Sequence, residues 1–114
     1  MSTVPQDLVN AHVRRFNNGV REGDWQTYGE GFAPDAMVTF DCVPIPPMVG
    51  REAIIKGYQT APPDDTITVL AVNGNSVEFA WDAEPRKTAG SMTMTVADGL
   101  ITSLIVRLGN EDRG

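Results

Sequence analysis

The sequence has very little of the residues that build metal centres, disulfides and nucleophilic sites. It contains one cysteine and one histidine in 114 residues. A single cysteine excludes an intrachain disulfide, and one cysteine with one histidine gives no metal-ligand spacing. We find no glycine-rich phosphate loop and no Ser-His-Asp arrangement. The sequence therefore predicts neither a metal site nor a cofactor.

Basic residues are also scarce. Nine Lys and Arg stand against 15 Asp and Glu, which gives a formal net charge of -6. Nucleic acids and anionic membranes need a basic face, so both are disfavoured as partners. No apolar run approaches the length of a membrane span, and the N-terminus MSTVPQDLV lacks a signal-peptide pattern. We expect a cytoplasmic protein.

What the sequence does contain is the composition of a globular domain. Hydrophobic residues make up 41% and charged residues 21%, which is ordinary for such a protein. A chain of 114 residues is long enough to bury one core. We predict a single domain over residues 1–114.

The first part of the chain predicts helices. An apolar stripe recurs at helical spacing through Val9, Val13, Phe16 and Val20. Pro5 suits the start of this helix, and Gly23 suits a left-handed residue at its end. Asp24 can cap a short second helix, and a third helix is predicted from Gly50 to Tyr58.

The rest of the chain predicts strands. Ala33–Asp35 has the composition of a turn, and Met37–Val43 is rich in β-formers. Four further strands are predicted at Thr66–Val72, Ser76–Asp82, Gly90–Val96 and Leu100–Leu108, with a looser connection at Ala83–Thr88. Asn73-Gly74 and Asp98-Gly99 are hairpin signals. Helices followed by a meander indicate an α+β fold, in which a curved antiparallel sheet wraps around the long N-terminal helix and leaves an apolar pocket.

Asp41 is the most conspicuous candidate for chemistry. It lies within the apolar segment MVTFDCV. A carboxylate in apolar surroundings is costly and tends to lose its charge or to be kept for a reaction. Asp41 is therefore either a general base or acid in the pocket, or an outward-facing aspartate that stays hydrated.

His12 and Tyr58 complete the set of candidate catalytic residues with Asp41. His12 flanks the apolar stripe. It is either a proton shuttle or hydrogen-bond donor at the pocket mouth, or a half-exposed boundary residue. Tyr58 could donate to a bound oxygen or orient Asp41, or it could be a core tyrosine.

A second set of side chains could line the pocket as substrate-binding residues. They are aromatic or mid-sized apolar groups, which suit a flat or flexible hydrophobic ligand, although each could equally be plain core. The set is Phe16, Trp25, Tyr28, Met48, Trp81, Met92, Met94, Leu104 and Val106.

Three motifs, RFNNGVREGDW, FAPDAMVTFD and VGREAIIKGY, occur in an order that resembles the NTF2-like superfamily, and within it the SnoaL-like and ketosteroid-isomerase-like group. The resemblance extends from Leu8 to Leu108. It implies a cone-shaped α+β fold with a deep apolar cavity, and a homodimer. The superfamily includes isomerases, polyketide cyclases, dehydratases, epoxide hydrolases and ligand binders, so this fold does not settle the function.

The resemblance places Asp41 where isomerases of this group have their general base, counting back from Gly50. Counting forward from Asp35 instead puts Asp41 one residue beyond the position of the general base. A bulge or a register shift of one would turn Asp41 to the opposite face. Tyr58 matches a supporting tyrosine of the isomerases.

Two hydrogen-bond donors of the isomerases have no match. Phe16 and Met92 stand at their positions, and neither side chain can donate. The resemblance implies a cofactor-independent isomerase, or a related proton-transfer enzyme, that acts on a small hydrophobic carbonyl compound through Asp41. The alternatives are a non-catalytic binder of a hydrophobic ligand, or an enzyme similar to polyketide cyclases or epoxide hydrolases.

Overall fold

A computed structural model describes residues 5–41, 45–63, 65–82 and 90–108, apart from the side chain of residue 108. Three helices and six strands lie in these ranges. In chain order they are α1 (Gln6–Glu22), α2 (Trp25–Gly29), β1 (Phe32–Phe40), β2 (Met48–Val49), α3 (Arg51–Thr60), β3 (Ile67–Asn73), β4 (Ser76–Trp81), β5 (Gly90–Ala97) and β6 (Leu100–Leu108).

Helix α1 forms as its apolar stripe predicts. Val9 and Phe16 are buried in the core, and Val13 and Val20 are partly buried against it. The helix ends at Gly23, whose φ of 75° is the left-handed conformation that glycine adopts without a steric penalty. The burial of one stripe fixes which face of α1 meets the sheet.

Helices α2 and α3 lie close to their predicted positions. The Asp24 carboxylate accepts hydrogen bonds from the Thr27 amide at 3.2 Å and from the Thr27 hydroxyl at 2.7 Å, and so caps α2. Helix α3 begins at Arg51 and runs two residues beyond the predicted end at Tyr58. The Arg51 guanidinium donates to the Phe32 carbonyl, which ties α3 to the start of β1.

The six strands form one curved, open sheet in the order β2-β1-β6-β5-β4-β3. Its inner face packs on the helices, which confirms the predicted α+β fold. The last four strands are an antiparallel meander, whereas β1 and β6 run parallel because α3 and the meander separate them in the chain. The hairpin of β5 and β6 turns at Asp98 and Gly99, both of which have positive φ as a tight hairpin turn requires.

Strand β1 differs from its prediction at both ends. Ala33–Asp35 is part of the strand and not a turn. The pairing of β1 with β6 is irregular between Phe32 and Met37, so Pro34, which has no N–H to give, is tolerated there. The strand ends at Phe40, and the last two residues of the predicted strand, Cys42 and Val43, lie outside the described residues.

Three other expectations have different outcomes. The connection predicted at Ala83–Thr88 lies outside the described residues. Within the described part of the chain, no helix is long and apolar enough to cross a membrane.

The homodimer stays a prediction. Met37 and Val49 are exposed apolar side chains that a second copy could cover, and sedimentation equilibrium would measure the number of copies.

One asparagine joins α1 to the outer strand of the sheet. The Asn17 side-chain amide donates to the Ile67 carbonyl at 2.9 Å, and the Ile67 N–H donates to the Asn17 side-chain oxygen at 2.8 Å. Because β3 is an edge strand, these Ile67 groups have no strand beside them. Asn17 therefore satisfies both backbone groups and holds the edge of the sheet on α1.

We predict that Asn17→Ala is less stable than Asn18→Ala by about 2 kcal/mol, because it leaves two partly buried backbone groups without partners. Asn18 is exposed and is the next residue of the same helix, so both variants share the gain in helix propensity. Urea unfolding measures the difference. Equal stabilities would show that the Asn17 bridge contributes nothing.

Candidate functional site

A cavity of about 530 Å³ lies between the helices and the inner face of the sheet. Nearly all of its lining is apolar. The side chains with polar groups are one histidine, two tyrosines and a tryptophan, and the tryptophan lies at the opening. The lining residues described are His12, Phe16, Tyr28, Phe40, Ile45, Met48, Gly57, Tyr58, Ala61, Pro63, Ile67, Phe79, Trp81, Met92, Leu104 and Val106.

The burial of these residues separates two ends of the cavity. The floor consists of His12, Phe16, Tyr28 and Tyr58, which are buried. The mouth consists of residues that are exposed or half-buried, namely Phe40, Ile45, Met48, Ala61, Pro63 and Trp81. A ligand that enters therefore meets apolar surface first and polar groups last.

Most of the candidate residues from the sequence come together at this cavity. Two of the three catalytic candidates, His12 and Tyr58, lie on the floor. Seven of the substrate-binding candidates also line the cavity: Phe16, Tyr28, Met48, Trp81, Met92, Leu104 and Val106. Their roles in binding or catalysis stay predictions, because lining a cavity is not the same as contacting a ligand.

Trp25 and Met94 do not line the cavity. Both are almost completely buried, at 2% and 1% exposure. The Trp25 ring lies against Tyr28 and Tyr58, with ring centroids 5.3 and 5.0 Å apart, and so supports the floor from behind. Met94 shares the inner face of β5 with Met92 but lies two residues further along, within the core.

Asp41 lies on the outer side of the sheet and not in the cavity. Successive residues of a strand face opposite sides, and Phe40 and Val106 face the cavity. Asp41 and Arg107 therefore face outward, where Arg107 Nε lies 2.8 Å from the Asp41 carboxylate and both side chains are more than half exposed. The general-base hypothesis needs Asp41 on the inner face of the sheet, and the structure places it on the outer face.

His12 is a buried polar residue of the cavity, at 3% exposure. It is neither half-exposed nor at the mouth, as the sequence had suggested. Burial, together with the nearby charge of Arg15, lowers the pKa of His12 to about 4. At neutral pH it is an uncharged imidazole that packs against the rings of Tyr28 and Phe32.

Tyr28 and Tyr58 form a close pair on the floor, with ring centroids 4.8 Å apart. Burial raises the pKa of both phenols; the neighbouring Tyr58 raises that of Tyr28 further, whereas Tyr28 partly offsets the rise at Tyr58. The Tyr28 hydroxyl is buried beside that of Tyr58 and interacts with it, although the two do not reach good hydrogen-bond geometry. Both tyrosines stay protonated at neutral pH, and the pair keeps hydrogen-bonding capacity for a ligand.

Several lining residues were not among the predicted site residues, although the sequence pattern around some of them indicates an inward position. Phe40 alternates with the polar Thr39 and Asp41, which indicates that Phe40 faces inward. Phe79 precedes Trp81 by two residues on the same predicted face of β4. Gly57, Ala61 and Pro63 carry no such pattern, because helix and loop positions beside a cavity depend on tertiary packing.

No group of three or more His, Cys, Asp or Glu side chains that could hold a metal ion occurs within residues 5–41, 45–63, 65–82 and 90–108. The His12 ring packs instead against the rings of Tyr28 and Phe32. What the described floor offers is hydrogen bonding by neutral groups.

The lowered pKa of His12 predicts a loss of stability in acid. The unfolded chain takes up a proton near pH 6.5, while the folded protein resists protonation until about pH 4, so the stability falls between these values. The loss should amount to about 3 kcal/mol and should be missing from His12→Phe. Urea unfolding at pH 7, 5.5 and 4 measures it, and because both proteins have the same carboxylates, identical pH dependence would contradict the prediction.

The fold has been seen in solved structures of low sequence identity. An NTF2-like protein of unknown function from Cytophaga hutchinsonii is similar with a TM-score of 0.65 and 18% identity, over 96% of this chain and 93% of that one. A protein from Sphaerobacter thermophilus is similar with a TM-score of 0.66 and 20% identity, over 92% and 95% of the two chains.

A hypothetical protein with a ketosteroid isomerase-like fold from Catenulispora acidiphila, solved in complex with trimethylamine, is similar with a TM-score of 0.61 and 16% identity, over 83% of this chain and 82% of that one. At such identities the likeness shows the fold alone. No curated protein matches the sequence significantly. The sequence model of the SnoaL-like domain matches residues 13–104, well over half of the chain. The chain therefore belongs to the SnoaL-like domain family.

Proposed function

We propose that this protein binds a small, neutral and largely apolar molecule in the cavity between its helices and the sheet. The observation that carries the proposal is the cavity of about 530 Å³, with no charged side chain among the described residues of its lining. Small-molecule pockets typically measure about 300–1,000 Å³ and combine apolar walls with a few placed polar groups. The floor supplies such groups in His12, Tyr28 and Tyr58.

The walls favour an apolar ligand for a simple energetic reason. Each Å² of apolar surface removed from water contributes about 25 cal/mol to binding. A charged ligand would lose its hydration and meet no opposite charge on the described walls, which is costly. Met48 and Met92 are flexible and polarisable, so they can adjust to the shape of the ligand.

The floor favours a ligand with an oxygen atom at one end. The hydroxyls of Tyr28 and Tyr58 are buried beside each other, and that of Tyr28 has no well-formed hydrogen bond with a described residue. A carbonyl or ether oxygen that reaches the tyrosine pair would supply an acceptor. Such a ligand would place its apolar body against Phe79 and Trp81 and its oxygen at the floor.

A second candidate function is proton transfer on a bound carbonyl compound, as in an isomerase or an aldol cyclase. The placement of a neutral His12 beside two protonated tyrosines favours it, because an imidazole can accept a proton while the phenols stabilise the developing oxyanion. His12 would then take the role that the sequence had given to Asp41.

Binding without turnover ranks first for two reasons. An imidazole with a pKa of about 4 is a weak base at neutral pH. The exposed Asp41 carboxylate pairs with Arg107 on the outer face and does not line the cavity. An epoxide hydrolase-like reaction would need a carboxylate pair at the ligand, and the described lining contains no carboxylate.

Methionine methyl NMR should detect binding, because the methionines report on different places. Met48 and Met92 line the cavity, Met94 is buried beyond it, and Met37 is exposed on the outer face. We expect 2-acetylnaphthalene, a neutral aromatic ketone, to shift the methyl signals of Met48 and Met92 and to leave those of Met37 and Met94 in place.

Two controls sharpen this experiment. The anion 2-naphthoate has nearly the same shape, and we expect it to shift nothing at the same concentration. Asp41→Asn should bind the ketone as the unsubstituted protein does, because Asp41 faces away from the cavity. Shifts that are absent with the ketone, or that are equally large at Met37, Met48, Met92 and Met94, would contradict binding in this cavity.

Deuterium exchange separates binding from proton transfer. We expect the methyl protons of 2-acetylnaphthalene to exchange with D₂O at the buffer rate when the protein is added, because no described group at the floor is a strong base. Proton NMR follows the exchange. Acceleration that persists in Asp41→Asn and disappears in His12→Phe would instead establish the second candidate, with His12 as the base.

A further inference from the structure

One residue of the described lining has no side chain at all. Gly57 lies in the second half of α3, next to the floor residue Tyr58, and the side chain of Met48 lies directly against it. A Cβ atom at position 57 would overlap the Met48 sulfur and would come within 3.7 Å of its Cγ and Cε atoms. The space that a side chain at 57 would fill is therefore occupied by the Met48 thioether.

Glycine within a helix is less favourable than alanine, since it loses more backbone entropy on folding. A glycine at such a position therefore calls for a packing reason. The contact with Met48 supplies that reason, because alanine at 57 would force the thioether away from α3.

The backbone of Met48 has little freedom to follow its side chain. Met48 lies opposite Val38 in the pairing of β1 and β2, and the Gly50 N–H donates to the Ala36 carbonyl at 2.7 Å. The methionine side chain, in contrast, has three rotatable bonds. Since Met48 and Gly57 both line the cavity, a thioether that leaves α3 enters the space at the mouth.

We infer that Gly57 and Met48 together determine how thick a ligand the cavity admits, an inference that rests on the proposed binding function. With glycine at 57, Met48 lies against α3 and leaves room at the mouth for a saturated polycyclic ligand as well as for a flat aromatic one. With alanine at 57, Met48 occupies part of that room, and the cavity binds the flat ligand better than the saturated one.

Two neutral ketones of different thickness test this inference. The probes are 1-acetyladamantane, which is a saturated cage, and 2-acetylnaphthalene, which is flat. We expect Gly57→Ala to weaken binding of the cage by about tenfold, the effect of overpacking around one side chain, and binding of the flat ketone by less than about threefold. Titrations followed by the Met92 methyl signal give both affinities.

The double variant Gly57→Ala/Met48→Ala supplies the decisive comparison, because it keeps the alanine and removes the thioether. It should restore binding of the cage to within about threefold of the unsubstituted protein. Gln59→Ala, at an exposed position of the same helix, should change neither affinity. The double variant also removes the overlap between the Cβ at 57 and the Met48 sulfur, so it can be measured even if Gly57→Ala alone folds poorly.

Other outcomes would overturn the inference. Equal losses for the two ketones in Gly57→Ala, or no loss for either, would show that the pair does not select by thickness, while the proposed binding function would stand. A double variant that fails to recover the cage would remove Met48 from the explanation. If neither ketone shifts the Met92 signal in the unsubstituted protein, the proposed binding function itself fails.

Discussion

The packing of aromatic rings around Tyr28 is the interaction on which the rest of the structure depends. The Tyr28 ring lies 4.8–5.3 Å, between ring centroids, from His12, Trp25, Phe32 and Tyr58. These residues come from α1, α2, β1 and α3, so one ring joins all three helices to the sheet. Because rings in tilted and edge-to-face contact stabilise one another beyond their burial, this cluster holds the helices in place. His12, Tyr28 and Tyr58 of this cluster also belong to the floor of the cavity, so the cavity surface and the helix packing share these residues.

Much of the fold follows from patterns that are local in the sequence. The helical stripe of α1, the glycine that ends it and the two hairpin signals depend on nearest neighbours, and all were predictable. The outward position of Asp41 was also predictable in part, because Val38 and Phe40 are apolar and alternate with the polar Thr39 and Asp41. What no local pattern revealed was the irregular start of β1, where the strand includes a proline and departs from a regular register.

The candidate site was predictable to the extent that it uses the faces of regular elements. Met92 alternates with Met94 on β5 and could be placed on an inner face, whereas His12 was placed on the flank of the stripe although its spacing from Val9 and Phe16 is that of an inward-facing residue. Which of two inward residues contacts the cavity could not be predicted, because Met92 and Met94 share one face of one strand. The close pair of Tyr28 and Tyr58 is likewise a property of three-dimensional packing, which brings together residues distant in sequence.

The burial that makes this cavity suitable for an apolar ligand also opposes acid–base catalysis in it. Removal from water lowers the pKa of His12 and raises those of Tyr28 and Tyr58, so all three groups move away from the range in which they would exchange protons at neutral pH. A site that transfers protons would need a charge nearby to bring one of these pKa values back, and the described lining contains none. The floor can therefore recognise a neutral ligand by hydrogen bonds, and for that task groups that never change their charge are an advantage.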